Sequence, residues 1–170
     1  QIKDRSSVRL IFSAHGLPES IIKKGDPYAW QVEQTVKSIT NNLNIDNESW
    51  ILSYQSKVTP VKWLEPSTEN EIVRAANEKK KVIIIPIAFV SEHSETLVEL
   101  DKEYYDLAIS NGITYYKRIP ALGIQNQFIN CLSEIIKNNL NNFSNSFNIN
   151  SSSGRRVCPI SFKNCRVKVI

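Results

Sequence analysis

Short apolar runs alternate along the chain with longer segments in which apolar positions recur every three or four residues. The apolar runs predict strands at 8–14, 49–55, 81–87 and 113–119. The periodic segments predict helices at 27–43, 67–80, 93–110 and 123–140. Continuous apolar strands separated by amphipathic helices are typical of a parallel sheet covered on both faces. The pattern therefore predicts an α/β fold with a four-stranded parallel sheet.

Local signals refine these boundaries. Pro27 suits the first turn of the first predicted helix, and Thr68 with Glu71 predicts a capping box at the start of the second. Beyond residue 137 the composition becomes rich in Asn and Ser, which is typical of a connecting segment. We therefore expect one α/β domain over 1–140, followed over 141–170 by a connection and an irregular, cysteine-containing tail.

The loops that follow the first and third strands carry both histidines of the chain, His15 and His93. In open α/β sheets, ligands bind beyond the carboxyl ends of the strands, where the strand order reverses. If the first and third strands are neighbours at that point, His15 lies near His93 and Glu95. By position alone, a functional and a merely structural role for His15 stay equally open.

Three carboxylates follow His93 at every fourth position: Glu95, Glu99 and Glu103. A helical wheel places the apolar side chains on one face and these carboxylates roughly opposite. The apolar face consists of Leu97, Leu100, Tyr104, Leu107 and Ala108. One interpretation is a solvated helix face. The other is a line of hard oxygen ligands that conducts cations or protons. Like charges at this spacing repel each other, which argues against a merely solvated face.

Composition narrows the function classes. With 170 residues and a net charge of +4, the chain is too weakly basic to indicate nucleic-acid binding. No apolar run is long enough to span a membrane. Three widely spaced cysteines do not form a disulfide framework. No zinc-protease motif and no glycine-rich dinucleotide fingerprint is present. The chain contains no Met, and we expect it to be part of something longer or to have been processed.

Three stretches together resemble ferrochelatase, the enzyme that inserts ferrous iron into protoporphyrin IX. They are LIFSAHGLP at 10–18, SYQSKVTPVKWLEPST at 53–68 and PIAFVSEHSETLVELDKEY at 86–104, with GDPY at 25–28 in addition. The resemblance extends from about residue 6 to residue 137. It implies a Rossmann-like, chelatase-type domain. Family members pair two such domains around a porphyrin cleft, and this chain resembles the second half.

The resemblance also implies roles for residues. His15 and Glu95 correspond to the catalytic histidine and carboxylate that contact the metal, with Glu99 and Glu103 as secondary acidic positions. The resemblance further implies substrate-binding roles, which fall on Phe89, Trp63 and His93. The tail is similar to the cysteine-bearing end of members that hold a [2Fe–2S] cluster. Cys158 and Cys165 match two of those cysteines, but Ser161 occupies a third cysteine position, so a cluster is not expected.

The resemblance implies Fe²⁺ as a substrate, with protoporphyrin IX and a missing N-terminal half as partners. The expected location is the bacterial cytoplasm, with peripheral contact at the inner membrane left open. Two alternatives remain: a catalytically inactive, truncated remnant, or a related chelatase for another tetrapyrrole or metal.

Overall fold

A computed structural model describes residues 5–141 and 155–167 of the chain. Four strands form one sheet in the order β2–β1–β3–β4, and every neighbouring pair is parallel. The strands are β1 (Val8–His15), β2 (Trp50–Gln55), β3 (Lys81–Pro86) and β4 (Tyr116–Arg118). The strand order reverses at β1, because the chain moves to one side of β1 for β2 and to the other side for β3. The predicted α/β fold and the predicted pairing of the first and third strands are confirmed.

Helices connect the strands and cover the sheet. They are α1 (Glu19–Lys23), α2 (Tyr28–Asn42), α3 (Thr68–Asn77), α4 (Tyr104–Ser110) and α5 (Asn126–Asn141). A π-helix over Glu95–Glu103 leads directly into α4, and two short 3₁₀ turns lie at Arg5–Ser7 and Asn47–Ser49. Within the described residues, no helix has the length and hydropathy required to cross a membrane.

The core lies on both faces of the sheet, as the continuous apolar strands predicted. Alternation along β1 directs Ile11 to one face and Ala14 to the other. Ile11 packs with residues of β3, α3, the π-helix and α4, among them Ile72, Ile84 and Leu100. Ala14 packs with side chains of β2 and α2. The two clusters hold the carboxyl ends of the strands, and hence the loops that follow them, in fixed positions.

Three local expectations need correction. The N-cap of α3 is Ser67, whose hydroxyl accepts a hydrogen bond from the Asn70 N–H, so the predicted Thr68 capping box is wrong by one residue. Thr68 is fully buried instead and bonds to other hydroxyls. Leu97 is 52% exposed and does not belong to the core face. The short helix α1 has too few residues for a periodic pattern and was not predicted.

The described part of the tail, 155–167, packs on the segment between α1 and α2. The Asn164 N–H donates to the Gly25 carbonyl over 3.0 Å, and the Trp30 and Phe162 ring centroids lie 6.1 Å apart. Gly25 has a φ of +97°, and a Cβ there would come within 2.9 Å of the Lys163 nitrogen. Most of the predicted Asn/Ser-rich connection lies outside the described residues, and the division at residue 140 stays a prediction.

Candidate active site

His15 and Glu95 meet where the strand order reverses. His15 is the last residue of β1, and Glu95 is the first residue of the π-helix that follows β3. The His15 Nδ1 lies 2.9 Å from the Glu95 Oε2, and the two side chains are 38% and 35% exposed. His93 contacts the same residue, because its Nδ1 accepts a hydrogen bond from the Glu95 N–H over 3.2 Å. The predicted grouping of His15 with His93 and Glu95 is confirmed in this form.

The contact with Glu95 determines which nitrogen of His15 is basic. An ionised carboxylate can only accept hydrogen bonds, so the Nδ1 of a neutral His15 carries the proton. The lone pair of Nε2 is then available to accept a proton or to bind a metal. The Tyr28 hydroxyl donates to the His15 carbonyl over 2.9 Å and fixes the backbone behind the ring. Burial, followed by the charges of Tyr54 and Glu95, raises the pKa of Tyr28 to about 12, so Tyr28 stays a neutral donor.

The turn after His15 depends on close backbone contact. The Gly16 N–H donates to the Gln55 carbonyl over 2.8 Å, and a Cβ at this position would lie 2.8 Å from the same oxygen. Only glycine allows that approach without a shift of the backbone. Trp63 packs beside Gly16 and is 8% exposed, while its indole N–H donates to the Thr59 carbonyl over 2.9 Å. Trp63 therefore supports the turn that carries His15.

Phe89 and His93 form the other side of the site. Their ring centroids lie 5.1 Å apart at an interplanar angle of 48°, and Phe89 is 7% exposed. The His93 N–H donates to the Thr96 hydroxyl over 3.0 Å, which holds the turn into the π-helix. Phe89 and Trp63 are thus mostly covered within this chain, and they present little free surface to a ligand.

Glu99 lies next to β2, whereas the helical wheel placed it on the solvent-facing side. Its Oε1 accepts a bond from the Ser56 N–H over 2.7 Å, and its Oε2 accepts one from the Gln55 side chain over 3.0 Å. The physical reason is the π-helix, in which the Tyr104 N–H bonds to the Glu99 carbonyl five residues earlier. This wider turn rotates Glu99 toward the sheet. Glu103 is exposed, as a solvated face predicts.

A buried polar network lies directly below these carboxylates. The Ser13 hydroxyl donates to the Gln55 side-chain oxygen over 2.7 Å and lies 2.8 Å from the Thr68 hydroxyl. The Gln55 amide in turn donates to the Glu95 carbonyl over 2.9 Å. Gln55, Ser13 and Thr68 are all 0% exposed, so each hydrogen bond replaces water that these groups have lost. The network connects β1, β2 and α3 to the start of the π-helix.

Sequence reasoning missed this network, although one signal was present. Ser13 and Gln55 are polar residues at the carboxyl ends of otherwise apolar strands, where binding sites are built.

Tyr104 was expected in the core and also has a polar role, because its hydroxyl lies 2.9 Å from both Glu69 Oε1 and Glu99 Oε1. Burial, then the charges of Glu69 and Glu99, strongly raise the pKa of Tyr104. The hydroxyl is therefore a permanent donor between two carboxylates.

The tail cysteines lie next to each other. Burial, followed by a hydrogen bond with Cys165, raises the pKa of the Cys158 thiol, whose sulfur also lies 3.5 Å from the Gln31 amide nitrogen. Ser161, which occupies the third cysteine position of the resemblance, is exposed. Across the residues that the structure describes, no group of three or more His, Cys, Asp or Glu side chains is arranged to hold a metal. Cys158 and Cys165 alone supply two of the four thiolates that a cluster requires.

The Glu92 carboxylate, in the loop before His93, accepts hydrogen bonds from several donors. Its Oε1 accepts bonds of 2.9 Å from Arg118 and 2.9 Å from the Ala121 N–H. Desolvation by itself raises the pKa of Glu92, but hydrogen bonds from Thr96, Arg118 and Ala121 outweigh it and lower the pKa to about 2. The Glu92 carboxylate is therefore bound more tightly in the folded chain than the protonated acid would be.

This shift predicts an acid-dependent contribution to stability. Because the folded pKa lies below the ordinary value of 4.5, the contribution is fully present above that pH and is lost as the pH falls through about 2. At pH 6 we expect Glu92→Gln to melt lower than the wild type by about 2–4 °C. Melting temperatures measured from pH 6 down to pH 2 should converge. A difference that is constant with pH would contradict the assignment.

Comparison with known proteins gives the family. The family model described as Ferrochelatase matches residues 1–140. A ferrochelatase of Pelagibacter ubique is 57% identical over 97% of this chain, and one of Rickettsia felis is 48% identical over 98% of it. Those matches cover 47% and 48% of the relatives, so the chain spans about half their length.

A solved structure supports the fold independently. It is a putative cobalamin (vitamin B12) biosynthesis CbiX protein from Marinobacter aquaeolei, with a TM-score of 0.54 over 79% of this chain and 98% of that chain. At 14% identity the likeness concerns the fold alone. The two relatives and the family match over residues 1–140 are stronger evidence of relationship than the solved structure, because the matched residues include both loops that bring His15 to Glu95. On these grounds the chain belongs to the ferrochelatase family.

Proposed function

We propose that this chain is the metal-inserting half of an enzyme that places Fe²⁺ into protoporphyrin IX to form protohaem. The reaction replaces two pyrrole N–H protons by one divalent cation and releases both protons. The contact between His15 and Glu95 carries the proposal. It combines a nitrogen base with an oxygen ligand 2.9 Å apart, with both side chains about a third exposed.

His15 is the proton acceptor in this proposal. An imidazole can change its protonation state near neutral pH, so a neutral ring can accept a pyrrole proton at Nε2. Glu95 orients the ring through Nδ1 and stabilises the imidazolium once His15 has taken the proton. The Gly16 turn and the Tyr28 hydroxyl hold the His15 backbone, so the ring need not reorganise during the reaction.

Glu95 also has an oxygen that the contact with His15 does not use. A carboxylate oxygen next to an imidazole suits a divalent cation of intermediate hardness such as Fe²⁺. Glu99 belongs to the same acidic line, and its bonds to Gln55, Ser56 and Tyr104 place it behind Glu95, toward the sheet. We assign Glu99 a supporting role in passing protons or metal. The exposed Glu103 has the weaker claim to that role.

The porphyrin-binding roles of Phe89, Trp63 and His93 are part of the proposal. Phe89 supports the His93 ring, and Trp63 supports the His15 turn. These side chains would shape the cleft mainly from behind, and a planar macrocycle would lie over the exposed edge formed by His15, His93 and Glu95. Binding energy from such a surface can be used to bend the macrocycle toward the geometry of metal insertion.

The second partner in the proposal is the other half of the enzyme. The chain covers 47% of the Pelagibacter relative, and we propose that a half equivalent to the rest of that relative forms the opposite cleft wall. Helix α5 offers a surface for it, since its apolar stripe is largely exposed. The exposed stripe consists of Ile129 42%, Leu132 41%, Ile135 43%, Ile136 59% and Leu140 66%. Several large apolar side chains exposed on one helix face are typical of an interface.

The segment that leads into α5 contacts the loop that leads to the site. The Gly123 N–H, just before α5, donates to the Val90 carbonyl over 2.7 Å, and Val90 belongs to the loop that leads to His93. Ile124, at the start of this surface, is 89% exposed. A half that covers α5 and the segment before it would therefore contact the loop that leads to His93, as a cleft between two domains requires.

The test is insertion of Fe²⁺ or Zn²⁺ into protoporphyrin IX, followed by fluorescence, with this chain assembled with the complementary half of the Pelagibacter relative. Turnover above the protein-free rate is the expected result. Absence of turnover from a stable assembly would overturn the proposal and leave an inactive remnant. Preferential turnover of another tetrapyrrole would indicate a related chelatase. Location in the bacterial cytoplasm, with or without inner-membrane contact, stays a prediction.

A further inference from the structure

Arg118 makes a charged cross-link next to the site. It is the last residue of β4, and its side chain is 9% exposed. Its guanidinium donates to both carboxylate oxygens of Asp101 over 2.6 Å each, and its third nitrogen donates to Glu92 over 2.9 Å. A bidentate arginine–carboxylate pair fixes orientation as well as distance. One rigid fork thus joins β4 to two separate points of the chain.

These two points lie on either side of the reacting carboxylate. Glu92 precedes the π-helix by three residues, and Asp101 lies near its end, so Glu95 and Glu99 fall between them. Within the described chain, the N-cap residue Ser94 makes no side-chain capping bond to the π-helix. The start of the helix therefore depends on other contacts. A π-helix is a rare conformation, and this one covers nine residues.

We infer that Arg118 is a positioning residue, which holds Glu95 against His15 by tying the loop after β3 and the π-helix to the end of β4. Asp101 fixes the rotation of the π-helix about its axis, and Glu92 fixes the point at which it begins. If either tie is lost, we expect the Glu95 side chain to reorient relative to β1, since the Gln55 amide holds only the Glu95 carbonyl, whereas His15 stays fixed by Gly16 and Tyr28. The kinetic consequence of this inference rests on the proposed function, but its structural consequence does not.

The first arm of the test uses the chain by itself and needs no activity. The imidazole ¹⁵N and ¹H NMR signals of His15 report the bond between its Nδ1 and Glu95, and Glu95→Ala gives the reference for the broken bond. We expect Arg118→Gln to shift the His15 signals toward those of Glu95→Ala. Arg118→Lys keeps the charge but cannot form the bidentate bond to Asp101 and the bond to Glu92 together. We therefore expect it to melt higher than Arg118→Gln but not to show the wild-type His15 signals.

Arg9→Gln is the matched control. Arg9 lies at the opposite end of β1, its side chain is 12% exposed, and it pairs with Glu78 over 2.6 Å. Its loss should lower the melting temperature to a similar degree without changing the His15 signals. If Arg118→Gln fails to fold, Asp101→Asn removes the charge and half of the bidentate pair while keeping the side-chain shape, and the same shift of the His15 signals is expected.

The second arm uses the assembled enzyme. We expect Arg118→Gln to lower kcat for metal insertion by about 10- to 100-fold, because a misplacement of about 1 Å has that effect. The KM for porphyrin should change by less than about threefold, since the Arg118 side chain is only 9% exposed and is bonded to Asp101 and Glu92. Wild-type His15 signals in both Arg118 variants, or wild-type kcat in a folded variant, would overturn the inference. An inactive wild-type assembly would overturn only the proposed function. The NMR measurements would still decide whether Arg118 positions Glu95.

Discussion

Replacing His15 by Ala should abolish most metal insertion by the assembled enzyme. We expect kcat to fall by about 10²- to 10⁴-fold, which is the usual contribution of a positioned general base. The reason is that Nε2 of His15 is the basic nitrogen of the site, because Nδ1 is bonded to Glu95 over 2.9 Å. The measurement is the initial rate of Zn²⁺ insertion, followed by the fluorescence of the metallated product.

The fold should survive this replacement. The His15 side chain is 38% exposed, so its loss opens no cavity in the core. The melting temperature and the affinity for porphyrin, measured by fluorescence quenching, are the controls, and both should stay close to wild type. The rate should also lose part of its pH dependence, because the group that takes the proton is absent. A near-normal rate in His15→Ala would remove this residue from the mechanism.

The sequence predicted the structure best at residues whose position is determined by one dominant physical requirement, such as burial. Apolar strand residues such as Ile11 and Ile84 must be buried on both faces of a parallel sheet, so continuous apolar runs predicted the strands. The loops at the carboxyl ends followed from topology, and His15 and Glu95 do meet there. The resemblance to a family added roles for these residues, and those roles stay predictions.

Sequence was least informative where the conformation departs from the ordinary repeat. The wheel for residues 93–110 assumed an α-helix, and it misplaced Glu99 and Leu97 because the first nine residues of the helix are π-helical. The hydrogen-bonded network of Ser13, Gln55 and Thr68 joins three elements that are distant in sequence. Polar residues in such a network have no periodicity of their own, so only tertiary packing identifies their partners.

The stripe on α5 illustrates a different limit. The sequence predicted an amphipathic helix over 123–140, and such a helix normally buries its apolar face. In the structure this face is largely exposed, with Ile136 59% and Leu140 66% accessible. The pattern was correct, and in the proposed function the complementary half supplies the surface that would cover this face. A sequence pattern specifies that a face must be covered and does not specify whether the cover comes from the same polypeptide.

This exposed face leads to the second large effect, which concerns assembly. The chain by itself should insert metal no faster than the protein-free rate, because in the proposed function the complementary half forms one wall of the cleft, and adding that half should restore turnover. Ile136→Glu should weaken that assembly by about 10- to 100-fold, since burying an isoleucine contributes about 1.5–3 kcal/mol. Sedimentation velocity and the insertion rate, measured over a range of concentrations of the complementary half, would record both effects.

Asn138→Glu is the matched control for Ile136→Glu. Asn138 lies two residues further along α5, is exposed and points away from the apolar stripe, so the same charge added there should leave assembly unchanged. Equal weakening by both variants would indicate a general charge effect and would contradict a specific interface. Self-association of the isolated chain that Ile136→Glu abolishes, without any effect on the complementary half, would assign the stripe to a second copy. The expected result, loss of restoration with Ile136→Glu alone, would make α5 the surface on which the two halves meet.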